Sequence, residues 1–279
     1  MQWSSATPGL LICLLDQSGS MLCPFNNNTS RTVFASRAIN RMIKETIMKN
    51  MKGTEVKNRC YITVIGYGFD VQILCEGWLS DLNRSPLRID NVRKKVEDGA
   101  GGLVEVDFKM PIWVEPIKED ACTNMKKAFE TARDLAKSWI SDNPTYPAPV
   151  IINISDGVPY YEGKGSNECM SETETIANEI MSLENKDGHV LMFNAEIGNE
   201  GHKIAYPNTI TQMEYAGNQA KFLFRVSSEI PEGFKAAAEK NGFSVVDGTR
   251  GCIFNADAED LIKFINFGTT KGQADIKQI

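Results

Sequence analysis

Short apolar runs alternate with amphipathic helical patterns along most of the chain. The run at residues 10–15 is continuous and ends at Asp16, which predicts a strand buried on both faces of a sheet. Apolar residues recur at three- and four-residue steps over residues 30–50, so we expect a helix after this strand. The same two signals return as a helix over residues 125–140 and a buried strand over residues 150–154.

The rest of the pattern completes the predicted order of elements. Two runs, residues 61–65 and 71–75, are joined by a glycine-containing turn, which predicts an antiparallel hairpin. Ser171-Glu-Thr-Glu has the spacing of a capping box, and we expect a helix to begin there. Pro231 is typical of the first turn of a helix. Further strands are predicted at residues 189–195, 221–226 and 252–254, and further helices at residues 231–240 and 257–267.

The pattern as a whole predicts one α/β domain over residues 1–279. We expect a doubly wound, mostly parallel sheet with helices on both faces, as in Rossmann-like folds, and one antiparallel edge strand. Prolines and glycines interrupt the periodicity over about residues 79–116, which we interpret as an insertion on this core. Residues 268–279 are expected to form a short C-terminal tail.

Composition and charge exclude several classes of function. The chain has 36 acidic and 30 basic residues, so with a net charge of −6 it lacks the basic surface that binding to nucleic acid requires. No apolar run approaches the ~20 residues of a membrane-spanning helix, and no basic segment of signal-peptide type precedes residues 10–15. We therefore expect a cytoplasmic protein without a nucleic-acid or membrane partner. Seven scattered cysteines without a CxxC pair disfavour a disulfide framework and a zinc site.

Oxygen-bearing side chains directly follow the first predicted strand. Asp16, Ser18 and Ser20 lie within Asp-Gln-Ser-Gly-Ser. Ligands of doubly wound sheets bind beyond the carboxyl ends of the strands, so this turn lies where a site is expected. One carboxylate and two hydroxyls offer oxygen alone, which suits a hard divalent ion such as Mg²⁺ or Mn²⁺.

Two later residues lie at comparable junctions. Thr123 precedes the predicted helix at residues 125–140, where it is either a third hydroxyl ligand or a helix N-cap. Asp156 follows the predicted strand at residues 150–154, and with Gly157 it forms either part of a site or an ordinary turn. Both alternatives stay open for each residue taken singly.

Taken together, these residues resemble a von Willebrand factor A domain that carries a metal-ion-dependent adhesion site. The family's DxSxS motif falls on Asp16, Ser18 and Ser20. Its second-loop threonine falls on Thr123, and its third-loop aspartate falls on Asp156 within Ser-Asp-Gly. The resemblance extends from residue 9 to about residue 267, and it is weakest over residues 79–116 and 198–218.

The resemblance implies a role for each of these groups. The two serines bind the ion directly, the two aspartates bind mostly through waters, and the threonine binds in either mode depending on the state of the site. An ion held in this way keeps an exchangeable water, which a carboxylate from another protein can replace. In the family a glycine pair usually precedes the threonine, whereas residues 119–122 here are Glu-Asp-Ala-Cys, which leaves the conformation and charge of that loop open.

A finer resemblance is to bacterial intracellular A-domain proteins of the tellurium-resistance-associated type. It is carried by the Leu-Leu-Asp-Gln-Ser-Gly-Ser-Met opening and by Phe254-Asn-Ala-Asp257. It implies a part in bacterial stress or defence signalling. The partner expected from it is a protein that supplies an Asp or Glu to the metal, and a kinase or phosphatase encoded nearby is one candidate.

The alternative is an enzyme on the same sheet edge, either a metal-dependent phosphohydrolase or a nucleotide-binding enzyme. A haloacid-dehalogenase-like phosphatase needs a second aspartate two residues after its nucleophile, where this chain has Ser18. The glycines around Lys164 lack the spacing of a phosphate-binding loop, and the chain contains no GxSxG elbow. We therefore predict a metal-dependent protein-interaction module with no catalytic residues.

Overall fold

A computed structural model of the chain describes residues 1–26, 29–97, 102–116, 122–161, 163–198, 202–240 and 245–269. No helix within these ranges is both long enough and apolar enough to cross a membrane. The helices are α1 (Arg31–Lys49), α2 (Leu79–Arg84), α3 (Met125–Asp142), α4 (Ser166–Ser182), α5 (Gly217–Arg225), α6 (Glu232–Lys240) and α7 (Ala258–Gly268).

The strands divide into one central sheet, one separate ribbon and three small hairpins. The small hairpins pair Pro24–Asn26 with Thr29–Ser30, Met51–Lys52 with Glu55–Val56, and Glu184–Asn185 with Gly188–His189. The other strands are β1 (Gly9–Asp16), β2 (Cys60–Tyr67), β3 (Val71–Trp78), β4 (Arg88–Glu97), β5 (Leu103–Ile112), β6 (Val150–Ser155), β7 (Leu191–Ile197), β8 (Ile204–Ala205) and β9 (Cys252–Ala256).

The central sheet has seven strands in the order β8-β9-β7-β6-β1-β2-β3. The five inner strands are parallel, whereas β3 is antiparallel to β2 and β8 is antiparallel to β9. The doubly wound, mostly parallel sheet predicted from the sequence is therefore confirmed, together with the hairpin of β2 and β3. The short β8 places a second antiparallel strand at the opposite edge, which the sequence pattern did not indicate.

Both faces of the sheet are covered by helices because β1 is apolar at every position from Leu10 to Leu15. Leu11 and its neighbours at two-residue steps pack with α1, α2, α6 and α7. Leu10, Ile12 and the alternate set pack with α3, α4 and α5. Such two-sided burial explains why the run at the start of the chain is continuous rather than alternating.

The predicted strand at residues 221–226 is wrong, because these residues lie in α5 and the turn after it. Phe222 joins the core cluster of α3 and α4, while Leu223 and Phe224 join a third cluster beside β9. A short apolar run buried on two sides has no period that separates strand from helix. The strand predicted separately at residues 252–254 is found as β9.

The start of α4 was also predicted wrongly. The helix begins at Ser166, so Ser171 lies inside it and caps nothing. The carboxylate of Glu174, expected to close a capping box, pairs with Arg225 of α5 at 2.7 Å. The strand predicted at residues 189–195 is found two residues later, at Leu191–Ile197.

Residues 79–116 contain α2 and an antiparallel ribbon of β4 and β5 that lies outside the central sheet. The end of the ribbon is attached to α1 by the buried side chain of Asn40. Its Oδ1 accepts from the backbone of Trp113 at 2.8 Å and of Val114 at 3.0 Å, and its Nδ2 donates to the Val114 carbonyl at 2.8 Å. One asparagine thus satisfies three buried backbone groups of the chain that leaves the ribbon.

Close packing against a glycine gives a test of this fold. A Cβ added at Gly251, just before β9, would lie 2.2 Å from the buried Phe193 ring. We expect Gly251→Ala to lower the free energy of unfolding by about 1–3 kcal/mol in urea denaturation, because the core must shift to accept the methyl group. Gly233 in α6 has open space around the same position, and Gly233→Ala is the control, with stability unchanged or about 0.5–1 kcal/mol higher. Equal stabilities for the two variants would contradict this packing.

Candidate metal centre

Asp16 and Asp156 lie at the ends of neighbouring parallel strands. Asp16 is the last residue of β1, and Asp156 directly follows β6, with Leu15 opposite Ile154 in the register of the pair. The chain runs from β1 to β2 on one side and later enters β6 on the other, so the strand order reverses between β1 and β6. Loops diverge at such a switch point and leave a crevice beyond the strand ends, where ligands of this fold class bind.

The first loop is folded tightly around the Asp16 carboxylate. Its Oδ1 accepts from the backbone N–H of Ser18 at 2.8 Å, the usual turn chemistry of an aspartate. The backbone N–H of Gln17 donates to the Tyr67 carbonyl at 2.7 Å, which ties the turn to β2. A short 3-10 helix, Gly19–Leu22, then directs the chain away from the sheet. Asp16 and Ser18 are buried as a result.

Hydroxyl and carboxylate oxygens of the two loops form one hydrogen-bonded set. The Ser18 and Ser20 hydroxyls are 3.1 Å apart, and Ser20 donates to Oδ1 of Asp156 at 2.7 Å. Ser155 donates to Oδ2 of Asp16 at 2.7 Å. Adjacent oxygens in an octahedral shell around Mg²⁺ lie about 2.9 Å apart, since each Mg–O bond is about 2.1 Å. The distances within the Ser18–Ser20 and Ser20–Asp156 pairs are compatible with such a shell.

Thr123 lies at the same edge of the sheet but outside this hydrogen-bonded set. Its backbone N–H and carbonyl pair with those of Tyr160 at 2.9 and 3.0 Å, which joins its loop to the one that follows β6. The backbone N–H of Asn124 donates to the Gly68 carbonyl, beyond the end of β2, at 2.9 Å. The helix N-cap is Asn124, not Thr123. Residues 119–121, whose sequence departs from the family pattern, lie outside the described residues.

An arginine that the sequence gave no reason to consider joins the set. Nη1 of Arg31 donates to Oδ2 of Asp156 at 2.6 Å, and the Asp156 side chain is fully buried. Arg31 is the first residue of α1, which Ser30 caps at its N-terminus. Its contact depends on the tertiary approach of α1 to the loop after β6, which local sequence does not encode.

Burial and the nearby charge of Asp156 raise the cost of ionising Asp16. The pKa of Asp16 is raised to about 6, mainly because the carboxyl is buried and secondly because Asp156 is near. Hydrogen bonds from Ser18 and Ser155 oppose this rise. A buried carboxylate beside a like charge is stabilised by a cation, so the site has an electrostatic demand for one.

Glu196 is a third acidic residue at this edge that the sequence analysis missed. It lies in β7 opposite Ser155 of β6 and is 8% exposed. Its carboxylate accepts from the Asn255 backbone N–H at 2.7 Å and from Nε2 of Gln219 at 3.0 Å. Its pKa is raised to about 7, first by burial, while the Asn255 hydrogen bond opposes the rise and the charge of Asp156 adds to it.

A row of buried polar side chains crosses the sheet beneath the loops. The Tyr67 hydroxyl donates to Asn153 at 2.8 Å, and Asn153 donates to Asn194 at 3.1 Å. Asn194 in turn donates to the Ser227 hydroxyl and the Val226 carbonyl, at 2.9 and 2.8 Å. These residues come from β2, β6 and β7 and from the end of α5, so one continuous chain of hydrogen bonds supports the site from below.

The donor chemistry separates this site from zinc-type centres. Within the described ranges, no three or more His, Cys, Asp or Glu residues cluster where they could hold a metal. The set at the sheet edge instead combines two aspartates with the hydroxyls of Ser18, Ser20 and Ser155. Oxygen donors without nitrogen or sulfur suit Mg²⁺ and Mn²⁺, so these residues fit the ion that the motif implies.

Comparison with known proteins gives distant likenesses in structure. No protein-family model and no curated protein sequence matches the chain. It is similar to the ArnB paralog VWA2 from Sulfolobus acidocaldarius, at 16% identity and TM-score 0.37, over 72% of this chain and 37% of that one. It is also similar to the conserved hypothetical protein BatB from Bacteroides thetaiotaomicron, at 18% identity and TM-score 0.40, over 72% of this chain and 73% of that one.

A third likeness is to the PilB minor pilin from Streptococcus sanguinis. The identity is 11% and the TM-score 0.47, over 96% of this chain and 62% of the pilin. The chain thus spans less than two thirds of both the Sulfolobus protein and the pilin. Identities and TM-scores this low do not establish a shared activity or partner, so a functional assignment depends on the geometry of the site.

The raised pKa of Glu196 predicts a pH dependence of stability. A carboxyl whose pKa is about 7 when folded and near 4.5 otherwise binds more protons in the folded state between these pH values. The free energy of unfolding therefore falls as pH rises from 5 to 8, by an amount on the order of 3 kcal/mol from this group. Glu196→Gln, which cannot ionise, is expected to lose this part of the pH dependence in urea denaturation with EDTA present. Parallel pH profiles for the variant and the wild type would contradict the burial of this charge.

Proposed function

We propose that the chain is a von Willebrand factor A-type interaction module, which binds Mg²⁺ or Mn²⁺ and uses the ion to bind a carboxylate of a partner protein. The proposed ligands, direct or through water, are Asp16, Ser18, Ser20, Thr123 and Asp156. The observation that carries the proposal is the set of hydroxyl and carboxylate oxygens, 2.7–3.1 Å apart, that two loops bring together at the switch point of the sheet. Neither loop holds these groups alone.

The hydrogen bonds indicate which residues would bind the ion directly and which would orient them. Ser20 donates its proton to Asp156, so Ser18 must be the donor in the contact between the Ser18 and Ser20 hydroxyls, and each of these two oxygens keeps at least one lone pair for a cation. The aspartates then orient the hydroxyls and supply charge from a second layer. A dication in this position supplies a positive centre with an exchangeable water, which an Asp or Glu side chain of a partner can replace. Few anionic ligands leave that centre incompletely neutralised.

The wider setting is proposed from the motif resemblance alone. We place the protein in the cytoplasm of a bacterium, in stress or defence signalling, with a kinase or phosphatase encoded nearby as one candidate partner. We assign it no catalytic activity, because Ser18 occupies the position where a phosphoaspartate enzyme needs its second aspartate. Steady hydrolysis of an aryl phosphate that Asp16→Asn abolishes would favour the phosphohydrolase alternative instead.

Calorimetric titration with MgCl₂ and MnCl₂ tests the metal site. We expect saturable binding by the wild-type protein and a roughly 10- to 100-fold weaker affinity in Asp16→Asn and in Ser20→Ala, because each loses a group that supports the ion. Asp142→Asn, which removes an exposed carboxylate at the end of α3, is the control and keeps the wild-type affinity. A wild-type protein that takes up neither ion at millimolar concentration would refute the proposal.

Affinity capture tests the use of the ion. A partner protein held in the presence of Mg²⁺ is expected to be released by EDTA, to return when Mg²⁺ is restored, and to be lost in Asp16→Asn. Replacement of the partner's acidic residues one at a time with Asn or Gln should identify one carboxylate on which binding depends. Capture that persists in EDTA and in Asp16→Asn would show that any metal bound here does not mediate the interaction.

A further inference from the structure

Arg31 places a positive charge in the candidate metal centre. Its Nη1 lies 2.6 Å from Oδ2 of Asp156, while the Ser20 hydroxyl occupies Oδ1 of the same carboxylate. Both oxygens of this buried carboxylate are therefore engaged. The charge of Arg31 also acts on Glu196, where it partly opposes the rise in pKa. The guanidinium charge thus acts on two acidic groups, Asp156 after β6 and Glu196 in β7.

The geometry of the ion pair between Arg31 and Asp156 is not the one that stabilises a structure most. An arginine at its strongest binds a carboxylate with two parallel hydrogen bonds, whereas the bond to Asp156 runs through Nη1 alone. Nε of Arg31 is buried and has no hydrogen-bond partner among the described residues. A buried donor without a partner costs free energy, and this cost is recovered if the side chain moves into water. The side chain is 21% exposed, so a path to solvent exists.

A dication and a guanidinium cannot share one carboxylate oxygen without strong repulsion. Two positive groups about 4 Å apart repel even in water, and the repulsion is doubled when one of them carries two charges. Oδ1 of Asp156 accepts from Ser20, a proposed ligand, and Oδ2 accepts from Arg31, so an ion bound by Ser20 would lie across one carboxylate from the guanidinium. The two cations therefore compete for Asp156.

On this basis we propose that Arg31 is a resident counter-ion of Asp156, which the metal ion must displace and which thereby sets the affinity of the site for dications. The inference rests on the proposed function, because it concerns the same site. Once Arg31 is displaced, the dication and the carboxylates of Asp16 and Asp156 leave the centre without net charge, before Glu196 is counted. Arg31 thus weakens metal binding, because the ion must break the pair between Arg31 and Asp156.

Calorimetric titration with MgCl₂ separates this competition from a structural role. Arg31→Gln is expected to bind Mg²⁺ about tenfold or more tightly than the wild type, because the competing charge is gone. Arg31→Lys keeps the charge and stays closer to the wild type. Arg37→Gln removes an exposed charge from the same helix and serves as the control, with no change expected.

The outcomes distinguish this inference from the proposed function. Wild-type binding that Arg31→Gln leaves unchanged or weakens overturns the counter-ion role and leaves the metal site standing. An absence of Mg²⁺ binding in both the wild type and Arg31→Gln overturns both proposals. Binding gained only in Arg31→Gln supports the competition between Arg31 and the ion, but it refutes the proposed function, because the wild-type protein then takes up no metal.

A measurement on the wild-type protein covers the case in which Arg31→Gln does not fold. The guanidinium NMR signals of Arg31, assigned by their absence in Arg31→Lys, are expected to show slow proton exchange in EDTA, because the group is paired and largely buried. Saturating Mg²⁺ should accelerate that exchange as the side chain enters water. Guanidinium signals that Mg²⁺ leaves unchanged, while it shifts the backbone signals of Ser18 and Ser20, would overturn the displacement.

Discussion

Two like charges buried side by side are the constraint on which this sheet edge depends. Asp16 ends β1 and Asp156 directly follows the neighbouring β6. Both side chains are buried, and the charge of Asp156 adds to the burial that raises the pKa of Asp16. The fold compensates with a backbone N–H from Ser18, hydroxyls from Ser20 and Ser155, and the guanidinium of Arg31. This compensation is partial, because the pKa of Asp16 stays raised despite the hydrogen bonds that oppose the rise.

The parts of the fold that were predictable are those with a local cause. The continuous run at Leu10–Leu15 is apolar because both faces of β1 are covered, and the hairpin of β2 and β3 follows from its glycine-containing turn. The strand predicted at residues 221–226 was wrong because consecutive apolar residues pack into two clusters, and a run this short has no period that separates strand from helix. The helix start predicted at Ser171 was wrong because the spacing of a capping box can also occur by chance within the polar face of a helix.

The residues of the candidate site also separate into those that local sequence predicts and those that it does not. Asp16, Ser18 and Ser20 share one turn, so their approach follows from local sequence, and Asp156 was placed by the rule that ligands gather at strand ends. Arg31 and Glu196 were not predictable, because their contributions depend on how α1 and β7 approach the loops in three dimensions. An arginine at the start of a helix and a glutamate at the end of a strand have many ordinary explanations, and nothing in the sequence separates these two from the others.

The hydrogen-bonded row from Tyr67 through Asn153 and Asn194 to Ser227 has a consequence for how the strands align. Apolar faces tolerate sliding, since one aliphatic contact resembles the next. Hydrogen-bonded amide and phenol groups do not tolerate such sliding. A shift of one residue along β6 or β7 would turn an asparagine side chain into the apolar layer on the opposite face of the sheet, and its hydrogen-bond partners would be left unsatisfied. The row therefore fixes the alignment of β2, β6 and β7 around β1. In this alignment Leu15 lies opposite Ile154, and Asp16 and Asp156 follow within two residues at the same edge of the sheet.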